Sequence, residues 1–214
     1  MDPITLIFDF DGTIADTFEQ TTAISNLLSS EFNFKKVEPH EILELKHKTS
    51  VELIEHLNIP VLKIPYIVAR AKSELNKAIH LIEPIEGLKE TLQELKSLGY
   101  QLGILTSNSL KNVQAFLQAN AIDFFDFVQS SSRIWRKNIS LNKMINTHGL
   151  DPERVLYVGD ETRDIDAARS SGVRVIAVTW GYNSSKILKA YQPDFLIHSP
   201  QELTSLCRQD WTLV

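Results

Sequence analysis

The chain reads as an α/β protein: a parallel sheet flanked by helices on both faces, interrupted after its first strand by an all-helical insertion. Three observations predict this. The short apolar runs at residues 4–8, 102–105, 155–158 and 173–178 are near-continuous rather than alternating, the pattern of strands buried on both faces. From residue 84 onward such runs alternate with stretches of helical periodicity, as in a sheet wound with crossover helices. Between about residues 17 and 82 the period is helical throughout and no strand is convincing, so three or four helices separate the first strand from the rest. The expected division is a core of residues 1–16 and 84–214 and a helical unit of residues 17–83.

Each element follows from its local pattern. Ile4-Thr5-Leu6-Ile7-Phe8 is the first strand. Phe18, Ile24, Leu27, Leu28 and Phe32 mark the first helix. Thr49-Ser50-Val51-Glu52 has the form of a capping box opening a second helix through Leu53, Ile54 and Leu57. Pro65 suits the first turn of a longer amphipathic helix carrying Ile67, Val68, Ala71, Leu75, Ala78 and Ile79. After Pro84 and Gly87, a leucine stripe at 88, 92, 95 and 98 ends at Gly99. Residues 102–105 are a buried strand, and Val113, Phe116 and Leu117 lie on the helix after it. Residues 125–128 form a short strand, and Leu141, Met144 and Ile145 a helix stopped at Gly149. Residues 155–158 are a strand, and Ile165 to Ala168 a helix ended by Gly172. Residues 173–178 and 194–197 are the last strands.

Composition excludes several classes. The 214 residues carry 23% charged side chains and a net charge of −5, so there is no global basic field for nucleic acid. Cys207 is the single cysteine, which rules out an internal disulfide framework and a cysteine zinc cluster and suits a packing residue. No stretch approaches the roughly 20 apolar residues of a membrane span, and the first apolar run is too short for a signal peptide. A cytoplasmic setting, without nucleic-acid or membrane partners, is expected. G-x-x-x-x-G-K-[ST] and G-x-G-x-x-G loops are both missing.

The chemistry concentrates where strands end. Asp9-Phe10-Asp11-Gly12-Thr13 closes the first strand. Side chains at i and i+2 project to one side of a strand, so Asp9 and Asp11 crowd two negative charges unless a cation or a proton relieves them. A divalent metal is the chemically natural relief, since hard cations take oxygen ligands; an ordinary Asp-Gly turn is the plain alternative. Thr106-Ser107-Asn108 follows the 102–105 strand, where helix capping is the ordinary use and Ser109 is placed to cap. Gly159-Asp160-Glu161-Thr162-Arg163-Asp164 follows the 155–158 strand, where Asp164 has the place of a first-turn helix acid. Lys137 lies in the connection before that strand, a position where lysine is ordinarily solvated. Together these clusters put carboxylates, hydroxyls and an ammonium on the C-terminal rim of one sheet, where such sheets bind ligands.

The ordered set Asp9-x-Asp11-Gly12-Thr13, Thr106, Lys137 and Gly159-Asp160-x-x-x-Asp164 resembles the four motifs of the haloacid-dehalogenase-like hydrolase superfamily, over essentially the whole chain. The helical insertion resembles its C1-type cap. Val178-Thr179-Trp180-Gly181 and the Pro193-Asp194 to Ser199-Pro200 tail look like the phosphoglycolate-phosphatase-like branch. The resemblance implies a Rossmann-like core and a Mg²⁺-dependent phosphatase acting on a small phosphorylated metabolite, as a monomer or homodimer. It implies that Asp9 is the nucleophile and forms an aspartyl-phosphate, and that Asp11 is the general acid and base. Asp9, Asp160 and the main-chain carbonyl of Asp11 would hold Mg²⁺, with Asp164 acting through water or orienting Lys137. Phosphate would be bound by Thr106, Lys137, Asn108 and the loop groups of Phe10, Gly12 and Ser107. Lys46, His47, Lys48 and Thr49 occupy the place of a substrate-specificity loop; a solvated basic turn is the alternative. His40 and His56 have no evident partner, and Trp180, Tyr182 and Trp211 are candidates for exposed aromatics.

One departure stands out. Branch members usually carry glycine before the lysine, whereas Arg136 precedes Lys137 here, within Arg133-x-Trp135 and Ile134. Either Arg136 points to solvent or the loop is rebuilt, with Lys143 as the fallback cation. The rival readings are a phosphomutase, disfavoured because residues 40–60 contain no arginine for a second phosphoryl group, a dehalogenase, and a catalytically silent binding module.

Overall fold

A computed structural model describes residues 3–131 and 136–208. Arg133, Ile134, Trp135 and Trp211 lie outside the described residues. The chain runs β1 (Thr5–Phe8), α1 (Phe18–Phe32), α2 (Ile42–Leu45), α3 (Ser50–His56), α4 (Ile64–Ala78), α5 (Leu88–Ser97), β2 (Gln101–Thr106), α6 (Leu110–Ala119), β3 (Phe127–Ser130), α7 (Lys137–His148), β4 (Val155–Gly159), α8 (Thr162–Ser170), β5 (Arg174–Val178), α9 (Ser185–Ala190), β6 (Phe195–Ile197) and α10 (Pro200–Cys207).

The six strands form one parallel sheet in the order β3-β2-β1-β4-β5-β6. Side chains alternate across it. Leu6 and Phe8 pack with Leu92, Leu95, Val113 and Phe116 on one face, while Ile7 and Leu105 pack with Leu141, Met144 and Ile165 on the other. Both faces being covered, every residue of β1 is buried, which is why the run reads as continuously apolar.

Register positions the site. Phe8 pairs with Ile104 on β2 and Val158 on β4. Asp9 is therefore level with Leu105 and Gly159, and Thr106 and Asp160 follow one residue beyond, all at the C-terminal edge. The strand order reverses at β1, so this edge lies at the topological switch point where α/β sheets open a crevice.

The helical block α1–α4 leaves and rejoins the sheet side by side. Asp16 N–H donates to Glu83 O (3.0 Å) and Ile85 N–H to Ile14 O (2.9 Å). Thr49 caps α3 as expected: its side chain accepts from Glu52 N–H while Glu52 accepts from Thr49 N–H (2.8 Å). Pro65 sits in the first turn of α4.

Boundaries shift where side chains pair early. β3 begins two residues later than the apolar run suggests. Asp126 docks at the start of β2 instead, its Oδ2 accepting from Leu102 N–H at 2.7 Å and its carboxylate held by Lys96. Phe125 turns to pack edge-on against Phe8, with ring centroids 6.0 Å apart. Helix α8 starts at Thr162 because Glu161 and Asp164 form a capping box. Lys137, expected in a loop, is the first residue of α7 and is buried.

Candidate active site

Asp9 continues β1 by one residue, its N–H donating to Val158 O at 2.8 Å, and is buried. Its carboxylate accepts from its neighbour Phe10 N–H (2.8 Å) and lies 2.7 Å from Lys137 Nζ. The next turn is tight. Ile14 and Ala15 N–H both return to Phe10 O at 2.9 and 3.0 Å. Gly12 lies at φ 78°, and a Cβ there would sit 2.4 Å from the Tyr182 ring and 2.5 Å from Asp160 Oδ2, so only glycine fits.

Asp11 does not share the lysine. Its carboxylate accepts from Asn108 Nδ2 at 3.1 and 3.2 Å. Burial, and next the charge of Asp9, push its pKa up to about 7, against the opposing pull of Asn108 and Arg163. The two aspartates of the motif thus have different partners: Asp9 has the Lys137 ammonium and Asp11 has the Asn108 amide.

Lys137 Nζ reaches both Asp9 and Asp164, donating to Asp164 Oδ1 at 2.5 Å. Burial disfavours the ammonium, but the Asp164 and Asp9 carboxylates outweigh that and hold its pKa well above the ordinary value. The other oxygen of Asp164 accepts from Glu161 N–H at 3.0 Å, so the residue caps α8 and anchors the lysine at once. Arg136 is exposed, and with glycine absent at that position Lys137 still reaches Asp9; Lys143 is exposed on α7, away from the carboxylates.

Asp160 is fully buried. It accepts from Thr13 Oγ1 (2.6 Å) and Tyr182 N–H (2.7 Å). Burial, Glu161, Asp164 and Asp9 all raise its pKa well above the usual range. Carboxylate oxygens of Asp9, Asp160 and Asp164 lie within 4.8 Å of one another. The surroundings are pared down to admit them: a Cβ on Gly181 would lie 2.2 Å from Asp160 Oδ2, and one on Gly159 2.5 Å from the Asp164 carboxyl group. A buried, all-oxygen set with surplus negative charge fits a hard divalent cation.

Thr106 is buried at the end of β2, its Oγ1 accepting from Asn108 N–H (2.9 Å). Among the described residues its own proton has no acceptor. Ser107 lines the same cavity as Asp11. Asn108, expected on phosphate, donates through Nδ2 to Asp11, and its Oδ1 accepts from Asn112 Nδ2 (2.9 Å).

The expected specificity segment lies beside the Asp11 cavity. None of Lys46, His47, Lys48 and Thr49 lines that cavity itself, but Lys46 and Lys48 line an adjoining one that shares Thr21, Leu53, Glu161 and Tyr182 with it. Lys46 Nζ donates to Gly181 O (2.9 Å) and lies 4.2 Å from the centre of the Phe18 ring. His47 bonds Ser184 (2.5 Å), Lys48 pairs with Glu44 (3.0 Å), and Thr49 caps α3. Ser184 N–H donates to Lys46 O and Asn183 Nδ2 to Lys48 O, tying this segment to the 181–184 loop, while His47 stays exposed.

Other expectations are corrected by packing. His56 has partners, Glu41 at 3.2 Å and Lys35 at 3.3 Å. Trp180 and Tyr182 are half-buried: Trp180 Nε1 donates to Thr13 O, and the Tyr182 hydroxyl lies 2.6 Å from Thr21 Oγ1. Cys207 is buried, and burial raises its thiol to about 12, as suits a packing residue. Sequence reasoning missed Thr13, Arg163 and Tyr182 as site residues, although the first two lie inside the quoted motifs. It also missed Lys72 and Asn183, which no local pattern marks.

A family model described as haloacid dehalogenase-like hydrolase matches residues 6–178. A phosphoglycolate phosphatase of Synechococcus elongatus is 34% identical over 209 residues, 95% of this chain and 99% of that protein. A pyrophosphatase PpaX of Bacillus cereus is 29% identical over 211 residues, 93% and 94% of the two chains. Among solved structures, a haloacid dehalogenase-like family hydrolase of Streptococcus pneumoniae superposes with a TM-score of 0.79 at 25% identity, covering 95% of this chain and 98% of its own.

Proposed function

The chain belongs to the haloacid dehalogenase-like hydrolase family, and from that premise we propose that it is a Mg²⁺-dependent phosphatase. It hydrolyses a small phosphomonoester through an aspartyl-phosphate on Asp9, with a substrate of the phosphoglycolate kind. The observation that carries this reading is the division of labour in Asp9-Phe10-Asp11: one carboxylate is paired with a buried ammonium, and its neighbour is held as an acid near pH 7.

In this reading a carboxylate oxygen of Asp9 bonds to phosphorus as the ester P–O bond breaks. Asp11 gives its proton to the departing alkoxide oxygen. The resulting Asp11 carboxylate then takes a proton from water, whose oxygen attacks phosphorus and releases Asp9 and inorganic phosphate. Lys137 offsets charge on the transferring group, and the Thr106 hydroxyl with Ser107 N–H donates to its oxygens. In this reading Phe10 N–H, which donates to Asp9 Oδ1 without substrate, helps to bind the same oxygens. Asp9, Asp160 and the Asp11 carbonyl would hold Mg²⁺, with Asp164 acting through Lys137 or water. Bound there, the ion supplies the positive charge that lets a carboxylate approach a phosphate dianion. The α1–α4 block, residues 17–83, serves as the cap that closes over this edge and excludes water.

The test is hydrolysis of p-nitrophenyl phosphate with Mg²⁺ and with EDTA, for the wild type, Asp9→Asn and, as a distant exposed control, Lys189→Ala. Turnover should require the metal, fall by at least about 10³-fold in Asp9→Asn, and persist in Lys189→Ala. Metal-independent turnover, or an active Asp9→Asn, would sink the mechanism.

A further inference from the structure

Lys72 is a cap lysine with no job in the reaction so far. It sits on α4, half-buried, and its side chain lines a cavity of about 280 Å³ together with Asp11, Ser107, Asn108 and Arg163. The other cations of this region are committed. Arg70 pairs with Glu31 and Glu74, Lys77 with Glu74, Lys48 with Glu44, Arg163 with Glu161, and Lys46 with a carbonyl and a ring. Lys72 has no ion-pair partner among the described residues. Burial accordingly pulls its pKa down, and the only charge opposing that pull is Asp11.

Its position is also registered on the acid. Asn112 Nδ2 donates to the main-chain oxygen of Lys72 (3.1 Å) and to Asn108 Oδ1 (2.9 Å), and Asn108 Nδ2 donates to Asp11. Asn76, one turn along α4, donates to Asn112 Oδ1 at 2.7 Å. Two buried asparagines thus connect the helix bearing the lysine to the carboxyl group that would meet the leaving oxygen. An ammonium half-removed from water without a counter-charge is unfavourable unless something anionic joins it.

We propose that Lys72 is the specificity-determining residue of the cap, and that it selects phosphomonoesters whose leaving group carries a carboxylate. The inference rests on the phosphatase reading above and deepens it. The ester oxygen lies at Asp11, so the remainder of the leaving group extends into the cavity that Lys72 shares with it. The cavity's modest volume and its apolar cap wall of Ile24, Val68 and Leu75 suit a short chain.

The test compares phosphoglycolate with its uncharged near-isostere 2-hydroxyethyl phosphate on the wild type, Lys72→Met and Lys72→Arg. The wild type should favour phosphoglycolate in kcat/KM by about tenfold or more. Lys72→Met should erase that preference by raising KM for phosphoglycolate alone, leaving kcat and the neutral ester unchanged, while Lys72→Arg keeps it. Calorimetric titration with phosphonoacetate and 2-hydroxyethylphosphonate, in Mg²⁺, provides a readout without turnover. Only the carboxylated ligand should bind the wild type more tightly than Lys72→Met. A wild type without preference, a preference that survives in Lys72→Met, or equal losses on both compounds overturns the assignment. Loss of all metal-dependent turnover with the carboxylate selectivity in binding intact would instead count against the phosphatase reading alone.

Discussion

At the residue scale the decisive contrast is between Asp9, which pairs with Lys137, and Asp11, which does not. In the proposed mechanism Asp11 must carry a proton to protonate an alkoxide, and burial beside Asp9 pushes its pKa to about 7. Hydrolysis of alkyl phosphates should therefore decline as Asp11 loses its proton, at a pH no higher than the metal-free value of about 7 because bound Mg²⁺ favours the carboxylate, whereas p-nitrophenyl phosphate, whose leaving group needs no proton, should show a weaker alkaline limb. Asp11→Asn should lower kcat for alkyl esters by about 10²–10⁴-fold and for the aryl ester by less, a difference read from parallel pH–rate profiles. Gly181 gives a second residue-scale prediction. Its missing Cβ makes room for Asp160, so Gly181→Ala should displace that carboxylate and weaken Mg²⁺ binding by an order of magnitude or more, measured by metal titration. Asp9, Asp11, Asp160 and Asp164 were legible because charge at strand ends is costly and conspicuous. Lys137 was legible as a motif residue, but its burial was not, because burial depends on two carboxylates remote in sequence.

At the scale of elements, the 181–184 loop ties the cap to the core. Asn183 Oδ1 accepts from Thr162 N–H at the start of α8 (2.9 Å), and its Nδ2 donates to Lys48 O (3.0 Å). Asn183→Ala removes both and leaves buried backbone groups unpaired, a cost of about 1–3 kcal/mol. The expected outcome is a lower Tm with faster hydrogen exchange across residues 46–50, measured by mass spectrometry. No helical or strand period marks Asn183, nor the partners of Lys46 Nζ and Lys48 O, which come from more than 130 residues away. Helix periods and caps were far more readable. Thr49 and Ser109 cap where their spacing indicates, since those bonds are local.

For the whole molecule, the buried acidic cluster makes stability depend on pH and, in the proposed reading, on Mg²⁺. Asp164 and Asp11 have folded-state pKa values of about 6 and 7, above the roughly 3.9 of an unfolded aspartate. The folded chain binds more protons than the unfolded one between those values, so their contribution to stability is present at low pH and is lost as pH rises from about 4 to about 7. The EDTA-treated protein should therefore melt higher near pH 5.5 than near pH 7.5. Mg²⁺ should reverse the order, adding roughly 5–10 °C at about a hundredfold excess over its Kd. Asp160→Asn should leave the metal-free Tm equal or higher while abolishing the Mg²⁺ increment, since an amide can still accept from Tyr182 N–H and donate to Thr13. Calorimetric scans at two pH values check all three statements. Among the described residues no helix is long and apolar enough to cross a membrane.

The sequence by itself determined the parallel α/β core, the helical block after the first strand and the acidic rim, because hydrophobic period, capping and strand-end charge are local properties of the chain. Tertiary structure alone decided which carboxylate takes the lysine, that Asn108 serves Asp11, and that Lys72 rather than Lys46 faces the acid. Those outcomes depend on register between β1, β2 and β4 and on how the helical block seats over the sheet. They are sums of long-range packing and electrostatic terms that no window of neighbouring residues contains.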